Sequence, residues 1–119
     1  MSTWDAAPKN SELLWSHLID LASKMRVESY GEVAAAIGAH EGRTIAPVSL
    51  TRPLGFIRDE ICLARGYPLI NALVVNADSW RPGDCFLPAG VSFGRAKDVL
   101  WRASVAAVFA YPWDSVHID

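Results

Sequence analysis

Ser29-Tyr30-Gly31-Glu32-Val33-Ala34-Ala35-Ala36-Ile37-Gly38, then Thr51-Arg52-Pro53-Leu54-Gly55-Phe56-Ile57-Arg58, then Tyr67-Pro68-Leu69-Ile70-Asn71-Ala72-Leu73-Val74-Val75-Asn76 are the three pieces on which the fold turns. Ser29 and Glu32 stand three residues apart, the register in which side chains and backbone satisfy each other at a helix start. Gly38 is free to take the left-handed conformation that ends a helix. Thr51 is placed to cap a second helix, with Pro53 in its first turn, where a missing N–H costs little. Leu54, Ile57, Ile61 and Ala64 follow at helical spacing, and Gly66 closes the segment. Leu69 to Val75 is apolar on both faces apart from Asn71, which predicts a buried strand. Two short helices followed by a hairpin outline a winged helix-turn-helix.

Upstream, Leu14, Leu18, Leu21 and Met25 share one face of an amphipathic helix, with Asn10 or Ser11 as its cap and Glu12 at the positive end of its dipole. Residues 1–9 read as a flexible lead-in that Trp4 can anchor. Between the two capped helices, Ala39 to Leu50 is a polar connection longer than a simple helix-turn-helix needs. Downstream, Ala77 to Asp84 is dense in turn formers, and Cys85-Phe86-Leu87 can return as the second strand of a wing before Pro88 stops it. A last helix, from about Phe93 to Phe109, carries Ala96, Val99, Leu100, Ala103 and Ala107 at core spacing. The tail, residues 110–119, holds Tyr111 and Trp113 and is expected to pack on the domain. The expected core is Leu14, Leu18, Leu21, Ile37, Ile57, Ile61, Leu73, Val75 and Leu100.

A chain of 119 residues that is 51% hydrophobic and 20% charged suits a single domain, residues 1–119, with a core of its own. The net charge of −2 supplies no global attraction to nucleic acid or an anionic membrane, so any such binding needs a local basic face. Met1 to Asn10 lacks the apolar stretch of a signal peptide, and no apolar run approaches membrane-spanning length. Two cysteines, Cys62 and Cys85, make no disulfide framework, and a cytoplasmic setting with reduced thiols is expected.

Tyr30-Gly31-Glu32-Val33-Ala34-Ala35-Ala36-Ile37-Gly38 resembles the TYGE(I/V)A..(I/L)G segment of the DNA alkylguanine alkyltransferases and alkyltransferase-like proteins. Leu14-Trp15 with Leu18 is similar to the VW..L helix that precedes it. Tyr67-Pro68-Leu69-Ile70 is similar to the NPLP lead into the reactive strand, and Pro82-Gly83-Asp84-Cys85-Phe86 stands in the place of a Gly-rich hairpin. The resemblance spans Leu13 to Phe86 and implies a DNA-binding winged helix. It also implies a departure. Where the family's strand reads PCHRV, this chain has Val74-Val75-Asn76-Ala77, with Val75 in the place of the alkyl-accepting Cys and Asn76 in that of its His. A valine forms no thiolate, so alkyl transfer is not expected.

Arginines are the candidate nucleic-acid contacts, because a guanidinium presents paired donors to phosphates and guanine edges. Arg43, Arg52, Arg58 and Arg65 are the candidates, Arg58 by loose analogy with the family's intruding arginine. Tyr30 joins them through the resemblance, as a phosphate or sugar contact. From Lys24 to Arg65 six basic residues face five acids, so a solvated mixed-charge helix face explains the same pattern about equally well. Trp80, Arg81 and Trp101 are candidates for a partner surface, the pairing of a large aromatic with arginine being typical of binding hot spots. His17, His40, His117, Cys62 and Cys85 show no metal-ligand spacing, and no catalytic motif or cofactor loop is legible.

The expectation is therefore a mixed α/β, mainly helical domain of winged helix-turn-helix type: four helices and a short antiparallel β-hairpin wing. Its expected role is non-catalytic nucleic-acid binding, with duplex DNA as partner and no cofactor or metal. The alternatives are a protein-interaction or self-associating accessory module on the same scaffold, or an enzyme without a legible motif.

Overall fold

Leu14, Leu18 and Leu21 are all buried, and the stripe they form seats the first helix, α1 (Ser11–Ser23), at the centre of the molecule. The computed structural model describes residues 2–83, 86–88 and 96–119. Asn10 occupies the N-cap position of α1 with φ of 72°, but its side chain makes no capping bond, and Ser11 Oγ donates instead to the Pro8 carbonyl at 2.7 Å. In the lead-in, Thr3–Ala6 form a 3-10 turn capped by Ser2, and Trp4 packs on Trp15 and Phe56, each at 6.3 Å between ring centres.

The capping box at Ser29 is present. Ser29 Oγ accepts from the Glu32 N–H at 3.1 Å, and Glu32 Oε1 accepts from the Ser29 N–H at 3.0 Å, opening α2 (Tyr30–Glu41). The helix does not end at Gly38. It runs on to Gly42, whose φ of 72° makes the left-handed terminus, and the Arg43 N–H returns to the Gly38 carbonyl at 2.9 Å. That return lays Arg43 across the helix, and a Cβ at Gly38 would collide with the Arg43 carbonyl oxygen. Gly38 is thus a close-approach glycine rather than a terminus.

Pro47–Leu50 form a 3-10 turn leading directly into α3 (Thr51–Phe56). Thr51 is already helical and makes no side-chain cap, because the preceding turn supplies the start that a cap would otherwise supply. From Ile57 to Leu63 the helix widens into a π-helix. Nothing in the apolar spacing marks that widening. Buried Leu54, Ile57, Ile61 and Cys62 complete this wall of the core.

The expected long strand is only partly extended. Ile70–Leu73 form a 3-10 turn, and β2 is Val74–Val75 alone. It pairs in parallel with β1 (Glu28–Ser29), Glu28 opposite Val74 and Ser29 opposite Val75. Antiparallel pairing is confined, among the described residues, to a bridge between Val75 and Pro82. Cys85, expected on a return strand, lies outside the described residues. The last helix, α4 (Lys97–Ala110), turns a different face inward from the one expected. Val99 is 69% exposed, Ala96, Ala103 and Ala107 face solvent, and Leu100 is only half-buried. Val108 is buried instead, and Trp101 donates from Nε1 to the Ala72 carbonyl at 2.8 Å. An alanine-rich helix carries no steep apolar gradient, so the indole hydrogen bond and Val108 select the face. The tail closes on α1 through Trp113, edge-on to Trp15 at 5.7 Å, with Tyr111 against it at 4.8 Å.

The other expected core residues, Leu14, Leu18, Leu21, Ile37, Ile57, Ile61, Leu73 and Val75, are all buried. The chain is mainly helical with one small parallel sheet, and among the described residues no helix is long and apolar enough to cross a membrane.

Candidate nucleic-acid interface

α2 floors the groove beside which one of the candidate arginines, Arg43, stands. Its outer face, Gly31, Ala35, Ala39 and Gly42, carries no side chain beyond a methyl and floors an open groove of about 540 Å³. Arg43, Thr44 and Pro47 form the opposite wall. A second cleft adjoins it, lined by Lys9, Asn10, Arg43, Thr44 and Ser49, so Arg43 stands between the two. The terminus at Gly42 causes this placement by sending the chain back over α2. Arg43 Nε donates to Glu41 at 2.9 Å, which offsets part of its charge, while Lys9 has no ion-pair partner among the described residues.

The remaining arginines do not converge on this groove. Arg52, in the first turn of α3, is exposed and has no ion-pair partner among the described residues. Arg65 is exposed and donates to Thr3 Oγ1 at 3.0 Å. Arg58, a candidate contact by analogy, is only 9% exposed. Its Nε and Nη2 clamp the Asp59 carboxylate, both at 2.7 Å, and Nη1 donates to the Leu87 carbonyl at 3.2 Å. The Arg58 hydrogen bond holds the Asp59 carboxyl below its ordinary value, helped by the guanidinium charge and opposed by burial. A cation so placed fastens the 86–88 segment to the π-helix.

Tyr30, the first residue of α2, is half-buried and lies against Gly83, where an added Cβ would stand 2.7 Å from the tyrosine hydroxyl. Asn71 is 5% exposed and donates from Nδ2 to the Phe86 carbonyl at 3.0 Å, while its Oδ1 has no hydrogen-bond partner among the described residues. The position given to the nucleophile by the resemblance holds a fully buried Val75 paired with Ser29, and Asn76 is exposed in the following turn. Cys62 offers no substitute. Burial pushes its thiol up to about 11, only partly countered by a backbone hydrogen bond from Ile70.

Trp80, Arg81 and Trp101, singled out as a possible partner surface, do line one cleft. Ser79, Asp98 and Arg102 complete it, and Arg81 pairs with Asp98 across it. Sequence reading missed Lys9 and Arg102, whose only signal is an exposed charge near a turn or on a helix. It also missed the His17–Glu28 pair, joined at 2.7 Å between α1 and β1, because nothing local marks two residues that only the folding of the chain brings together. Among the described residues no three His, Cys, Asp or Glu side chains gather as metal ligands would.

No family model, no curated protein and no solved structure matches the chain.

Proposed function

We propose that the chain is a non-catalytic nucleic-acid-binding domain of winged-helix character, similar in role to the alkyltransferase-like proteins, with duplex DNA as its ligand. The observation that carries this reading is the placement of Lys9 and Arg43 on one cleft, beside a helix face with no side chain larger than a methyl. A sugar-phosphate backbone can approach such a face closely, and two cations at its edge meet adjacent phosphates. Arg52 adds a third charge at the start of α3. Arg58 is withdrawn from the contact set and given a structural role, and Tyr30 serves chiefly to pack against Gly83.

Phosphate contacts release condensed counterions, so affinity should fall steeply with salt. With three or so contacts, binding is expected at roughly micromolar strength or weaker at physiological salt. Fluorescence anisotropy on a labelled duplex at low and physiological salt tests this. Lys9→Ala, Arg43→Ala and Arg52→Ala should each weaken binding and flatten the salt dependence by about one unit of slope. Absence of duplex binding at low salt refutes the reading.

A second reading, a protein-interaction or self-associating module, draws on Met25. It is 67% exposed beside a cleft lined by Ile19, Phe109 and Tyr111. Sedimentation that shows a concentration-dependent dimer, lost in Met25→Asp, supports it.

A further inference from the structure

Trp80 sits where its backbone is strained and its side chain gains little from the fold. Its φ of 52° lies in the left-handed region that suits Gly or Asn, yet the residue is a tryptophan with 53% of its surface in solvent. The turn that holds it there is well fastened. The Trp80 N–H donates to the Asn76 carbonyl at 2.8 Å, the Asn76 N–H to the Arg81 carbonyl at 2.9 Å, and the Arg81 N–H to Ser79 Oγ at 3.3 Å. Such a turn presents an indole in a fixed place.

The indole borders a cleft of about 210 Å³. Trp101 forms another wall, fixed by its hydrogen bond to the Ala72 carbonyl. Arg81 and Arg102 bring two guanidinium groups against the single carboxylate of Asp98, which pairs with Arg81. Arg102 has no ion-pair partner among the described residues, and Asp78, exposed on the same turn, lies outside the lining. The cleft therefore offers two aromatic rings, one uncommitted cation and a net positive charge. A flat ring bearing an attached anion matches all three.

We propose that this cleft binds one nucleotide of a single-stranded nucleic acid, its base against Trp80 and its phosphate on Arg102. Every base has a π-face, so the site is tolerant of sequence. Unstacked bases are accessible only where the duplex is open, which sets this site apart from the duplex cleft at Lys9 and Arg43.

The test is anisotropy of fluorescein-labelled oligothymidylate, read at low salt beside the labelled duplex. The unmodified chain should bind the single strand. Trp80→Ala should weaken that binding about tenfold or more, and Trp80→Phe should keep most of it, since stacking needs a ring rather than an indole. Arg102→Ala should weaken it several-fold with a shallower salt dependence, and both alanine variants should melt within a few degrees of the parent. Loss of duplex binding with single-strand binding retained removes the duplex reading and leaves this site standing. No single-strand binding by the parent overturns the proposal, as does unchanged binding by Trp80→Ala or, if that variant fails to fold, by Arg102→Ala. Sedimentation showing a dimer that Trp80→Ala dissolves, with no oligonucleotide bound, also overturns it and assigns the cleft to a second copy of the chain.

Discussion

Replacing Gly38 by alanine and Gly31 by alanine makes the same chemical change on the same helix, with opposite expected signs. At Gly31, exposed in the first turn of α2, the nearest atom to an added Cβ is Ser29 Oγ at 3.9 Å, an ordinary contact. Alanine there restricts the unfolded chain and should stabilise by about 0.5 kcal/mol. At Gly38 the added Cβ meets the Arg43 carbonyl oxygen well inside contact distance and the Ile45 nitrogen at 3.4 Å. Both obstacles are backbone, so no rotamer change relieves them. Overpacking of this kind costs about 1–3 kcal/mol. Displacing Arg43 also strains its 2.9 Å bond to the Gly38 carbonyl, while helix propensity returns about 1 kcal/mol. The net expectation is a loss of about 2 kcal/mol, seen as a fall in Tm of roughly 8 °C for a domain of this size. Thermal melts by circular dichroism, checked by urea titration, measure both variants. A Gly38→Ala protein as stable as the parent would refute the close-approach reading of Gly38.

Two further expectations concern the core. Leu18→Ala, at a fully buried position on α1, should cost about 2–5 kcal/mol by urea denaturation, and a near-neutral result would mean that the helix packs otherwise. Cys62 should resist a thiol reagent in the folded protein and react once urea unfolds the chain; rapid reaction in native buffer refutes its burial. Its folded pKa of about 11 lies above the ordinary 9.0, so the folded state holds the proton more tightly than the unfolded one. The associated stability is present below pH 9.0 and is lost as pH rises towards about 11. That loss is on the order of 2–3 kcal/mol and should be flatter in Cys62→Ala.

The sequence showed most where a signal was local. The Ser29–Glu32 box needs only its own turn, and it forms as expected. The stripe Leu14, Leu18 and Leu21 needs only helical periodicity, and all three are buried. Gly38 misled because a glycine in a helix signals either a terminus or a close approach, and only the chain crossing above it decides which. The pairing of Glu28–Ser29 with Val74–Val75 had no pattern to find, since two residues cannot show a period. On α4 the alanines made every face look apolar, and a hydrogen bond to the distant Ala72 carbonyl chose among them. The charged candidates divided in the same way. Arg43 and Trp80 are placed by nearby turns, whereas the burial of Arg58 depends on Leu87, far along the chain.

The short parallel pairing between β1 and β2 has a kinetic consequence. It joins Glu28 to Val74 and so closes α2, α3 and the π-helix into one long loop. The helices inside that loop can form on their own within microseconds, but the pairing must wait until its two ends meet. The pairing is thus one of the non-local events that fast local helix formation cannot hasten. Because closure entropy grows only logarithmically, doubling the loop would add about 0.6 kcal/mol to that barrier. Inserting a few flexible residues between the exposed Ala46 and Pro47 should accordingly slow refolding only slightly.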